Sequence, residues 1–370
     1  MKNGERTKNG KGKRQANFEL LRIISMFMVV SLHYLSHADA LTVPGTEADG
    51  TQIFGDFLES LSICAVNVYV LITGYFQSQS DFHPRKLIRL LAEILFYTLL
   101  IPPVLMAFGI HPEAQNVWER WFWFFPVSME SYWFITAYVF LFILSPLLNE
   151  GLRALPEKRM REVLLLLLFF YTVLPSLSPV KLTTDRGGYD FGWFIVLYLL
   201  SGYMRRYGAG RLDSARSGAV LYFASAAGVF ALTAFLHRIS EGGRLLYYAS
   251  VPFHYNTFLV LTASVGLFLW AKNTKVKEGR GADFIRALSP LTLGVYLIHE
   301  NIDVRDRWLP ALEKVFGGVP DGGLLLLHML LCCTALFACC LAVDFVREKM
   351  FSLAARIFRR GKKNAVISGK

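Results

Sequence analysis

Residues 163–171 read VLLLLLFFY, nine apolar side chains in succession. On a helix each residue turns by about 100°, so such a run covers every face and leaves none for water. Runs of this kind recur along the chain. A hydrocarbon core about 30 Å thick needs roughly 20 mainly apolar residues per helical crossing. Ten segments meet that demand, at 18–37, 53–76, 87–109, 131–149, 162–179, 190–204, 217–236, 249–270, 284–300 and 323–346. With 54% hydrophobic residues and a mean hydropathy of +0.39, a soluble multidomain enzyme is excluded. Disorder and a disulfide scaffold are excluded as well, because only 18% of residues are charged and five cysteines cannot staple 370 residues. The expected fold is all-α: a polytopic bundle of about ten transmembrane helices in the plasma membrane. A single membrane domain over 18–346 is expected between basic tails at 1–17 and 347–370.

The net charge of +11 does not point to nucleic acid, because the basic residues alternate by side. With the N-terminus in the cytoplasm, inside segments hold 30 Lys and Arg and outside segments eight, with Arg22 inside the first span. That is the positive-inside pattern for an even number of crossings, with both termini cytoplasmic. A basic leader, the apolar stretch 23–35 and Ala38-Asp39-Ala40 also resemble a cleavable signal peptide. Cleavage would leave nine spans and spoil the alternation, so the first helix is expected to be retained. Cys332-Cys333 and Cys339-Cys340 lack zinc spacing and are expected, with Cys64, to be small packing residues.

Ionisable groups inside a span are costly and mark sites by default. Arg22 and His33 are eleven residues apart, about 20° past three full turns, so they share a face roughly 16 Å apart along the axis. Arg22 alone is explained by snorkelling. His33 is harder to explain by packing, since a neutral imidazole can remove and return a proton. His37, four residues on, completes a His-x3-His pair, but no third ligand is evident nearby and no metal is expected. The third span opens with Arg85, Lys86 and Arg89, where topogenic charge competes with a phosphate site and Glu93 at i+4 offers Arg89 a neutralising partner. Trp133 fits an interfacial aromatic belt, and Tyr296 and His299 share a face near the outer end of the ninth span.

Arg22 and His33 at this spacing, preceded by Glu19, resemble the first-helix signature of the acyltransferase-3 family of integral membrane O-acyltransferases. Other segments agree in order: 67–76 (NVYVLITGYF), the basic motif at 85–89, 132–149 (YWFITAYVFLFILSPLLN), 192–203 and the closing YLIH at 296–299. The resemblance implies an enzyme that moves an acyl group, commonly acetyl, from cytoplasmic acyl-CoA to a hydroxyl of a surface polysaccharide or its lipid-linked precursor. It places His33 at the chemistry, Arg22, Arg85, Lys86 and Arg89 on the acyl-CoA, and Glu19, Tyr34, Trp133, Tyr296 and His299 in support. The family's third-helix motif is Arg-x-x-Arg; here either Arg85 or Lys86 takes the first position. No bound cofactor is expected beyond the acyl-CoA co-substrate. A glycan transporter or flippase is the alternative, since a ten-helix bundle with buried charge also suits passage of a substrate.

Overall fold

A computed structural model describes residues 13–114, 116–240, 243 and 245–368, with side chains through Ile357. The first part of the expected N-terminal tail and the basic side chains beyond Ile357 lie outside the described residues. These residues form helices and no strand. The main ones are α1 Ala16–His37, α2 Gly50–Ser62, α3 Ala65–Gln77, α4 Pro84–Ala107, α5 Trp133–Ala154, α6 Glu157–Leu168 and α7 Phe191–Tyr207. They continue with α8 Ala215–Ser240, α9 Phe258–Asn273, α10 Arg280–Leu288, α11 Thr292–His299, α12 Trp308–Phe316 and α13 Leu324–Ser368.

Nine helical stretches among the described residues are long and apolar enough to cross a bilayer. The chain is therefore a multi-pass membrane protein. The tenth expected span, 190–204, is the 17-residue α7. At 1.5 Å per residue it is about 25 Å long, short of the roughly 30 Å core. It is nonetheless central, with Trp193, Phe194, Leu197 and Tyr198 fully buried. Its start is set by Asp190, whose side chain accepts from the Trp193 amide at 3.0 Å. Large apolar side chains such as Leu165, Phe170, Val220, Phe235 and Phe345 stand exposed on the outer helices, a surface suited to hydrocarbon.

With lipid outside, helices associate through close packing rather than a hydrophobic difference, and small residues decide where they touch. The α8–α9 crossing is reciprocal. A Cβ on Gly218 would lie 2.4 Å from the Trp270 amide nitrogen, and one on Gly266 would lie 2.5 Å from that of Tyr222. Gly74 of α3 lies against the Tyr198 backbone, and Gly294 of α11 lies against the Asp344 side chain of α13. α1 packs against α2, α3, α9, α10, α11 and α13. The helix that carries the ionisable stripe is thus packed against helices from both halves of the chain.

Cys64, Cys332, Cys333 and Cys340 are buried free thiols, whereas Cys339 is exposed. Cys339 is adjacent to Cys340, a turn of about 100° that takes it out of the contact.

Candidate active site

One cavity of about 810 Å³ runs along α1. At the end of the bundle that holds the chain's first described residues it is lined by Lys13, Arg14, Lys86 and Arg89. It passes Glu19, Arg22 and Arg347, reaches His33, and ends on Trp133, Tyr255 and Tyr296. Arg22 and His33 both face it, as the eleven-residue interval requires. The His33 side chain keeps about a quarter of its surface free.

Three groups meet at His33. Its Nδ1 lies 2.8 Å from His299 Nε2 and 3.1 Å from Glu300 Oε1. His299 Nδ1 lies 2.6 Å from the Val295 carbonyl one turn earlier on α11. A carbonyl only accepts, so the His299 proton is on Nδ1 and its Nε2 carries a lone pair. His33 therefore donates from Nδ1 to His299, and its Nε2 is left with the lone pair. The carboxylate of Glu300 stands ready to offset an imidazolium at His33. The end of α11 is pinned in turn: Tyr132 donates to the Leu297 carbonyl at 2.9 Å and accepts from Asn301 at 2.9 Å.

His33, His299 and Glu300 also offer three ligand atoms within 4.8 Å of one another, the geometry of a candidate metal group. Two nitrogens bound tetrahedrally at zinc distances sit ~3.3 Å apart. The 2.8 Å ring contact is the shorter spacing of a shared proton. His37, the other half of the His-x3-His pair, is not in this group; it packs edge-on against Trp308, 3.8 Å from Asp306.

Toward the basic end the arginines are already paired. Arg22 donates to Glu19 at 2.6 Å, and Arg89 forms a bidentate pair with Glu348 at 2.6 and 2.7 Å. Arg347, only 2% exposed, grips both oxygens of Asp344 at 2.7 and 2.9 Å and lies 2.9 Å from Glu93. Tyr97 adds a hydrogen bond to Asp344 at 2.6 Å. Glu93 thus serves Arg347 rather than the expected Arg89, because α13 brings a longer-range partner between them.

The model of the acyltransferase domain of the acyltransferase-3 family matches residues 15–345. The chain belongs to that family. No curated protein and no solved structure matches it. The acyltransferase places its expected site residues unevenly. Glu19, Arg22, His33, Lys86, Arg89, Trp133 and Tyr296 all line the cavity. Arg85 does not: it is exposed and turned about 100° from Lys86, while Lys86 and Arg89, three apart, share a face. Of the two candidates for the motif's first position, Lys86 is the one that lines the cavity. Tyr34, next to His33, also turns away; it is fully buried and donates to His328 Nδ1 at 2.6 Å.

Glu300, Arg347 and Glu348 were not among the expected residues. Glu300 sits one position past the YLIH motif, and Arg347 reads in sequence as the first basic residue of a tail. A signal for Arg347 was present in Asp344, an acid three residues before it at the end of an apolar span.

Proposed function

We propose that this acyltransferase moves an acyl group, acetyl in the first instance, from cytoplasmic acyl-CoA to a hydroxyl of a surface polysaccharide or its lipid-linked precursor in the plasma membrane. The observation that carries this reading is the continuous cavity from Lys86 and Arg89 to His33. Guanidinium and ammonium groups at its mouth suit the phosphates of CoA. Arg22, one α1 face below His33, lies along the path of the acyl-bearing arm.

At the far end His33 Nε2 removes the proton from the acceptor hydroxyl as its oxygen attacks the thioester carbonyl. The carbon–sulfur bond breaks and the thiolate leaves. The His33 imidazolium, offset by Glu300 and held by His299, returns the proton to that sulfur. The products are the acyl ester and free CoA.

The test uses membranes that contain the protein, labelled acetyl-CoA and glycans of the host envelope. We expect label on the glycan, abolished by His33→Ala at unchanged membrane levels. Retained acylation in His33→Ala would remove the proposed base. Label on the protein that neutral hydroxylamine releases, and that His33→Ala abolishes, would place the acyl group on His33 itself. Movement of unmodified glycan without acylation would favour a transporter.

A further inference from the structure

The cavity does not stop at His33. Beyond it the wall changes from charged to aromatic, with Trp133 and Tyr255 facing the void. Their rings stack with centroids 5.8 Å apart and an interplanar angle of 23°. Tyr189 packs on both, 4.7 Å from Trp133 and 4.6 Å from Tyr255, and is 43% exposed. The three rings therefore join the inner void to the surface at the end opposite the basic mouth. An interfacial belt residue points toward headgroups; Trp133 instead lines the interior.

The platform is held rigidly. Asn67 donates to the Tyr255 carbonyl at 2.7 Å and accepts from Trp193 Nε1 at 2.9 Å. The Tyr255 amide donates to the Gly187 carbonyl at 2.9 Å. Gly188, at φ +83°, comes so close that a Cβ there would lie 2.8 Å from the Tyr255 side chain. Around the rings stand buried acceptors without donors. Asn256 is 2% exposed and gives its amide to Asp185, yet its Oδ1 has no partner. Glu59, which acts electrostatically on both tyrosines, has an unpartnered Oε2.

We propose that Trp133, Tyr189 and Tyr255 form the subsite for the saccharide acceptor. This rests on the acceptor being a glycan, as proposed above. A pyranose offers an apolar C–H face to an aromatic ring and hydroxyl donors at its rim. The C–H face is what the exposed faces of these stacked rings suit.

The experiment reads saccharide binding apart from acyl transfer. Purified full-length protein in lipid nanodiscs is titrated with neutral tri- and tetrasaccharides of hexoses and N-acetylhexosamines. Binding is followed by tryptophan fluorescence and saturation-transfer NMR, with CoA binding measured separately by calorimetry. We expect saturable binding by at least one saccharide, weakened roughly three- to tenfold by Tyr189→Ala and by Trp133→Ala, with CoA affinity unchanged. Tyr189→Ala removes an exposed ring and keeps the test valid if Trp133→Ala fails to fold. Absence of saturable binding by every saccharide, or affinity that Tyr189→Ala leaves unchanged, overturns the subsite and leaves acyl transfer standing. Ring-dependent saccharide binding by a protein that transfers no acyl group supports the subsite and sinks the enzymatic reading instead.

Discussion

His299 touches no expected substrate atom, yet the proton logic at His33 depends on it. His299→Ala deletes the acceptor for His33 Nδ1–H and leaves only Glu300 at 3.1 Å. The ring then loses the nearer of the two acceptors that fix its tautomer, and the form with its proton on Nε2, which cannot act as base, gains population. The lost interaction becomes charge-assisted when His33 is an imidazolium, which is worth about 1.5–3 kcal/mol. At 1.36 kcal/mol per factor of ten, kcat should fall about 10- to 150-fold. KM for acetyl-CoA should hold, because the cations lie at the other end of the cavity. His299→Gln places an amide oxygen near the former Nε2 and should recover part of the rate. The assay is initial-rate transfer from labelled acetyl-CoA with reconstituted protein. A kcat within twofold of wild type in His299→Ala would refute the proton assignment.

Glu348→Gln frees Arg89 for phosphate and should tighten CoA binding by calorimetry, by at most about fivefold because the pair is half exposed; Arg89→Ala should weaken it roughly tenfold or more. Arg347→Met strands Asp344 and Glu93 in the interior and should lower stability by about 3–5 kcal/mol, seen as a large drop in the detergent melting temperature. Gly266→Ala drives a Cβ to 2.5 Å from the Tyr222 nitrogen and should cost about 1–3 kcal/mol by overpacking; an unchanged melting temperature would show that α8 and α9 can separate freely.

The helical bundle was legible because its signal is local: apolar runs of the right length need no knowledge of neighbours. The Arg22–His33 stripe was legible for the same reason, as eleven residues on one helix fix a shared face. The segment 190–204 was legible as the helix α7, but a helix enclosed by protein reads in sequence like one surrounded by lipid. Glu300, Arg347 and Glu348 escaped because their roles arise from packing of helices far apart in the chain: His33 meets His299 across 266 residues and Arg89 meets Glu348 across 259. Periodicity along one helix carries no information about such meetings. Tyr34 was misplaced by adjacency, since being next to His33 in sequence means facing elsewhere on a helix.

The carboxylates that hold Arg22, Arg89 and Arg347 give the mouth a selectivity that bare positive charge would lack. On the proposed function, a small anion arriving there would meet an Arg89 already held by both oxygens of Glu348, with which one negative charge competes poorly. A ligand that presents several phosphate oxygens together can replace such grips in one concerted swap. On that reading the corridor would be guarded against the abundant monovalent ions of the cell while remaining open to a polyanion.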